Sequence, residues 1–188
     1  MTVTPAGTEL HYTVTWLEMT ERPAHGWPAA PAGPPAALLK AEAPPVWFLL
    51  ALYDAVGRHY AWQDLHRRSE DELAAWLDDP ATSLWTLMRR GWPHGFFMLD
   101  NRAHGVCDLS YFGLVPQAVG SGLGLFLLES AVLTAWDLPG VEKLTVNTCS
   151  LDHPRALGLY QRAGFEPVRR TEHVRVLTRD IDASRIPE

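Results

Sequence analysis

The clearest hydrophobic alternation in the chain lies near its start. Residues 10–19, L-H-Y-T-V-T-W-L-E-M, put Leu10, Tyr12, Val14 and Trp16 on one face, the period of a strand. Val46 to Tyr60 is apolar on most sides, which predicts a largely buried helix opened by Pro44-Pro45 and ended near Gly57. Ser69 followed by Glu72 is a capping-box signature ahead of Leu73, Trp76 and Leu77, and Pro80 closes that second helix. Strands follow over Ser83 to Arg89, over Gly95 to Asp100, and from Val106 to Pro116, as a meander of antiparallel neighbours. Leu123, Leu127, Leu128, Ala131 and Val132 then recur at helical spacing, and D-L-P-G at 137–140 stops that helix. Val141 to Cys149 is another strand. A helix that Asp152 caps and Pro154 opens ends at Gly164, and Pro167 to Thr178 reads as one or two edge strands. The stretch from Glu21 to Pro45 is dense in proline, alanine and glycine. It reads as an irregular surface loop, either a tolerated insertion or a substrate lid. The predicted order is β-α-α-β-β-β-α-β-α-β, an α+β fold around a mixed sheet. It makes one domain over 1–188, with the Pro-rich loop 20–45 inside it.

Composition narrows what this fold can serve. At 188 residues and 47% hydrophobic, the chain can bury a sizeable core. No run approaches the roughly 18 apolar residues of a membrane helix, and the N-terminal residues carry no secretion signal. A cytoplasmic protein with no membrane partner is expected. The net charge of −6 argues against nucleic acid, because phosphate contacts need a basic stripe. Cys107 and Cys149 are too few for a disulfide framework. Together with His94 and His104 they show no metal-ligand spacing, so no metal is expected.

The candidate chemistry sits between the third meander strand and the helix after it. There the chain reads V-P-Q-A-V-G-S-G-L-G, a strand turning through Gly120, Gly122 and Gly124 into a helix N-terminus. Backbone N–H groups without Cβ atoms over them, at the positive end of a helix dipole, make an anion site. The spacing is not a Walker loop, since no lysine follows the glycines, nor G-x-G-x-x-G, nor a nucleophile elbow. It resembles the Q/R-x-x-G-x-G/A loop of the GCN5-related N-acetyltransferases, as Gln117, Gly120 and Gly122. Downstream, H-P-R-A-L-G-L-Y-Q-R-A-G-F at 153–165 resembles that family's second signature, a helix carrying a tyrosine before a G-F turn. The family's order of elements also matches the one predicted, with helices on both faces of the sheet.

This resemblance implies an acetyl-CoA-dependent N-acetyltransferase acting on the amine of a small molecule or peptide, by direct attack in a ternary complex. An alkyl amine with a pKa near 10.4 is neutral in roughly one molecule in two thousand at pH 7, so a general base is useful. The departing thiolate needs a proton donor, and the developing oxyanion needs hydrogen-bond donors. By resemblance Tyr160 is the general acid; its ordinary alternative is a core tyrosine bonded to backbone. Asp108 is the candidate base, placed six residues before Leu114 so that both would share a face; its alternative is a structurally paired carboxylate. His104 is a weaker candidate, in a predicted turn.

The family's splayed strand implies cofactor contacts at Leu114 and Val115, with an N–H there as oxyanion donor. The pyrophosphate falls to Gln117, Ala118, Val119, Gly120, Ser121, Gly122, Leu123 and Gly124. Asn147 would orient a water or the pantetheine arm, and His153 stands where many members carry asparagine. The acceptor pocket is expected from Trp47, Tyr60 and Trp62, with Tyr53 and Trp92 nearby, although these rings suit plain core packing too. The last strand offers, by analogy, a homodimer edge. Two rival readings are a non-catalytic acyl-CoA-binding sensor on the same fold and a nucleotide or phosphosugar binder using the same glycine loop.

Overall fold

The structure, a computed structural model, describes residues 3–29 and 31–187. Its strands are β1 (Val3–Thr4), β2 (Glu9–Met19), β3 (Ala36–Lys40), β4 (Thr82–Arg89), β5 (Trp92–Ala103), β6 (Val106–Leu114), β7 (Lys143–Cys149), β8 (Glu166–Val176) and β9 (Ile181–Asp182). Its helices are α1 (Val46–Gly57), α2 (Glu70–Asp78), α3 (Leu123–Trp136) and α4 (Ala156–Arg162). Seven strands form one mixed sheet in the order β3-β4-β5-β6-β7-β2-β8, while β1 and β9 pair separately.

The expected meander is β4-β5-β6, antiparallel throughout. Phe96, Phe97, Met98 and Leu99 of β5 are all buried, because α1 packs on one face of this strand and α3 on the other. The capping box also forms: Ser69 Oγ accepts from the Glu72 N–H at 3.2 Å, and the Glu72 carboxylate accepts from the Ser69 N–H at 2.8 Å.

Two features were not in the expected pattern. The Pro-rich stretch is not all loop, because Ala36–Lys40 pairs with β4 as the sheet's edge. Its A-A-L-L-K sequence lacks β-branched residues and gives no strand signal. The buried Arg89 guanidinium pins the segment before it, donating to the carbonyls of Pro34 and Ala32 at 2.8 Å each. The second is topological, a pairing that the sequence pattern leaves open. The first long strand, β2, lies between β7 and β8 and is antiparallel to both.

The arrangement that shapes the site is at the sheet's centre. β6 and β7 are parallel but pair only over Val106–Asp108 and Lys143–Thr145. Beyond Asp108, β6 stays with β5 as far as the Gly95–Leu114 pair, and β7 stays with β2 as far as Val14–Cys149. The two strands therefore part, and a wedge opens between them.

Candidate active site in the strand wedge

A cavity of about 630 Å³ occupies the wedge and reaches both faces of the sheet. One end is made of backbone. Gly120 and Gly122 have φ of +79° and +77°, a conformation that favours glycine, and a Cβ on either would meet open space. Gly122 is the N-cap of α3, with no side-chain cap and no acidic residue in the first turn. Ala118, Val119 and Ser121 spend their N–H groups inside the turn. The N–H groups of Gly120, Gly122, Leu123, Gly124 and Leu125 are left without carbonyl partners. They form a concentrated donor set at a helix N-terminus.

The glycine-loop residues divide. Val119, Gly120, Gly122, Gly124 and Leu114 line the cavity. Gln117 is exposed on a short 3-10 turn, Ala118 and Leu123 are core, and the Ser121 hydroxyl bonds back to the Ala118 carbonyl; none of these side chains lines it. The Val115 N–H is taken by the His94 carbonyl at 3.0 Å, so it is not a free oxyanion donor. Because N–H groups alternate sides along an antiparallel strand, the Leu114 N–H points away from β5 into the wedge.

Tyr160, Asn147 and His153 also line the cavity. The Tyr160 ring is buried between Phe112 at 5.9 Å and Phe165 at 6.0 Å, and its hydroxyl has no partner among the described residues. Burial, then the charges of Asp152 and Asp108, push its phenol well above the ordinary range. His153 Nδ1 accepts from the Arg155 N–H at 3.1 Å, so in the neutral ring Nε2 carries the proton. That Nε2 is buried and unpartnered, a donor waiting for an acceptor from the cavity.

Asp108 sits where the strands part. Its carboxylate accepts from Thr145 Oγ1 at 2.6 Å and Ser110 Oγ at 2.8 Å, and it does not itself line the cavity. Burial raises its pKa; the two hydroxyls work against that and Asp100 adds to it. Asp108 does not share a face with Leu114. Across the ladder Met98 faces Tyr111 while Leu99 faces Leu109, so Ser110 is an extra residue in a β-bulge. The bulge flips the alternation, turning Asp108 and Tyr111 to the α1–α2 side and Phe112 and Leu114 to the α3–α4 side.

The expected aromatic wall is partly displaced. Trp47 is 68% exposed in the first turn of α1, and Trp92 lies 3.8 Å from the His94 ring at a tilt of 31°; neither lines the cavity. Tyr60 and Trp62 do, joined by Tyr12 from β2 and Tyr111 from β6. Asp152 does not cap α4, whose N-cap is Arg155. Its carboxylate accepts from Trp62 Nε1 at 3.0 Å, Thr148 Oγ1 at 2.8 Å and the Cys149 N–H at 2.8 Å, holding the Trp62 ring in place.

Sequence reasoning missed Asp64, Asp152, Arg155, Arg162 and Arg175, all of which line the cavity. Only the α4 pair had a local signal: Arg155, Leu159 and Arg162 fall at i, i+4 and i+7, one helix face. Both thiols are pushed up to about 12 by burial, next by the charges of Asp108 for Cys107 and Asp152 for Cys149. Among the described residues, no three His, Cys, Asp or Glu side chains gather as a metal site, and no helix is long and apolar enough to cross a membrane.

A wedge of parting parallel strands beside a capless helix N-terminus offers a free strand edge and a set of unpaired amides in one cavity. The sequence profile of the acetyltransferase (GNAT) family matches residues 39–165, and the chain belongs to that family. Solved structures share the fold at low identity. One is a GCN5-related N-acetyltransferase from Kribbella flavida, 20% identical, with a TM-score of 0.58 over 86% of this chain and 56% of that one. Another is a GCN5-related N-acetyltransferase from Sphaerobacter thermophilus, 18% identical, TM-score 0.57, over 97% of this chain and 55% of that one. An aminoglycoside N-acetyltransferase in complex with CoA is 18% identical, TM-score 0.52, over 76% of this chain and 95% of that one. The chain thus spans about half the length of the first two.

Proposed function

We propose that this chain transfers an acetyl group from acetyl-CoA to the amine of a small molecule or peptide, by direct attack in a ternary complex. The observation that carries this reading is that two incomplete sets of donors share one cavity. The free amides at Gly120 to Leu125 suit a pyrophosphate, and Arg155 and Arg162 on α4 add positive charge to the cavity wall. The unpaired edge of β6 and the orphaned His153 Nε2–H suit the amides of a pantetheine arm.

Bound acetyl-CoA supplies an activated acyl thioester. The Leu114 N–H is the donor placed to hold the acyl oxygen as negative charge develops. Tyr160, kept neutral by burial, is the proton donor for the departing thiolate. Asp108, whose raised pKa brings it nearer neutrality, is the proton acceptor; because its oxygens sit outside the cavity wall, it acts through Ser110 or water. The suppressed ionisation of Cys149, the one thiol in the cavity wall, supports direct attack over an acyl-cysteine route.

Calorimetric titration with acetyl-CoA, with Gly122→Asp as the control, tests this reading. Binding by the wild type and none by the variant is the expected result; equal binding, or none by either, overturns it. The same engagement of both Asp108 oxygens favours a second reading, an acyl-CoA sensor without turnover. That reading predicts binding without amine-dependent CoA release.

A further inference from the structure

We propose that Asp64 recognises a second positive charge on the acceptor, so that the amine this cavity takes is a diamine or longer polyamine rather than a simple alkylamine. The proposal rests on the acetyltransferase reading for what happens to the amine, but its own observation is separate. Asp64 lies exposed in the connector between α1 and α2, and lines the mouth of the cavity together with Trp62 and Tyr111. Tyr53 Oη–H donates to Oδ1 at 2.8 Å, and Tyr111 Oη–H donates to Oδ2. Those phenols are fixed in turn, with Tyr53 fully buried, 5.4 Å from the Tyr111 ring and 5.3 Å from the Trp62 ring. Burial and the Asp64 charge push both phenols well above their ordinary range, so they remain protonated and act as donors.

What the carboxylate lacks is a cation. No Lys, Arg or His among the described residues forms an ion pair with it. Its basic neighbours have other partners. His66 and Arg179 pair with Asp54 at 2.8 and 2.7 Å, and Arg68 lies over the Trp76 ring at 4.9 Å. Arg175 donates to the Ala61 carbonyl and the Tyr12 hydroxyl. Each oxygen of Asp64 keeps a free lone pair after its phenol bond, and Trp62 and Tyr111, with ring centroids 5.6 Å apart, line the same cavity. A carboxylate that shares a cavity wall with aromatic rings suits an ammonium group.

That ammonium is not the one that reacts. The attacking amine has to be neutral, and an adjacent carboxylate would hold it protonated. Position separates them as well. Tyr111, to which Asp64 is bonded, precedes Leu114 by three residues, about 10 Å along a strand. Asp152, the other acid in the wall, already accepts three hydrogen bonds and orients Trp62, which leaves Asp64 as the carboxylate presented to a ligand.

Titration of the full chain with 1,8-diaminooctane, spermidine and octylamine tests the proposal. The wild type should bind the two polycations at least about tenfold more tightly than octylamine, and Asp64→Asn should erase that preference. Glu70→Gln, at an exposed carboxylate on α2, removes the same charge away from the cavity and should leave the preference intact. No polycation binding by the wild type, a preference that survives in Asp64→Asn, or an equal loss in Glu70→Gln overturns the proposal. Loss of acetyl-CoA binding by the wild type would instead overturn the acetyltransferase reading, and leave discrimination at Asp64 still measurable.

Discussion

The two ends of the wedge are built from different materials. At the glycine loop the donors are backbone amides, held by φ angles and by a helix end, and the side chains mostly turn away. At the opposite end the working groups are side chains: Trp62, Tyr111, Asp64, Asp152 and Tyr12. They come from β2, from the α1–α2 connector, from β6 and from the turn before α4. A backbone-built site is a local property that tolerates many substitutions of its non-glycine members. A site built from side chains across four segments depends on tertiary packing, and its specificity can be retuned one residue at a time.

The largest effect expected is at the backbone end. Gly122→Asp places a carboxylate over free amides that should meet a pyrophosphate, and acetyl-CoA affinity should fall by at least about 100-fold. Aspartate tolerates a left-handed backbone at modest cost, so the variant's thermal unfolding midpoint should stay close to that of the wild type. Tyr160→Phe comes next. It keeps the ring between Phe112 and Phe165 and removes only the hydroxyl, so kcat should fall by about 100-fold with KM little changed. A KM effect of similar size would move Tyr160 from proton donor to binding contact.

Asp108→Asn should lower kcat by about tenfold and, more tellingly, alter the pH profile. A base works when deprotonated. With the Asp108 pKa raised by burial, wild-type activity should climb with pH through that value, and the variant should lose this acidic limb. A lower rate with an unchanged limb would make Asp108 a strut that ties β6 to Thr145 of β7, and would favour the sensor reading.

The contrast between the two ends also accounts for what was legible in the sequence. The glycine loop and the tyrosine helix were readable because their geometry is set within a dozen residues. The capping box at Ser69 and the β4-β5-β6 meander were readable for the same reason. Three things were not. Ala36–Lys40 is a strand only because β4 offers it an edge, and its own residues have little strand preference. The place of β2 between β7 and β8 is a long-range pairing that no local pattern encodes. The bulge at Ser110 inserts one residue without a glycine or proline to mark it, and that single insertion reverses which face Asp108 serves. Asp64 escaped because an acid in a charged connector has no local mark of a role, and only the fold brings the Tyr53 and Tyr111 hydroxyls to it.

The smallest predicted effect tests whether the two ends are separable. The Trp62 ring lies directly against Gly57 at the end of α1, where an added Cβ would sit 2.1 Å from the indole. Gly57 has an ordinary helical backbone, with φ of −93°, so the glycine is needed there for space rather than for conformation. Gly57→Ala must therefore push the indole away, and overpacking of this kind costs about 2 kcal/mol, or roughly 4–8 °C in Tm. The displaced ring would strain its bond to Asp152 and spoil the wall beside Asp64, while the glycine loop stands on other elements. Acceptor affinity should drop severalfold in titrations where acetyl-CoA affinity does not change. If both fall together, the wedge behaves as one cooperative unit, and the division into a backbone end and a side-chain end describes its construction but not its energetics.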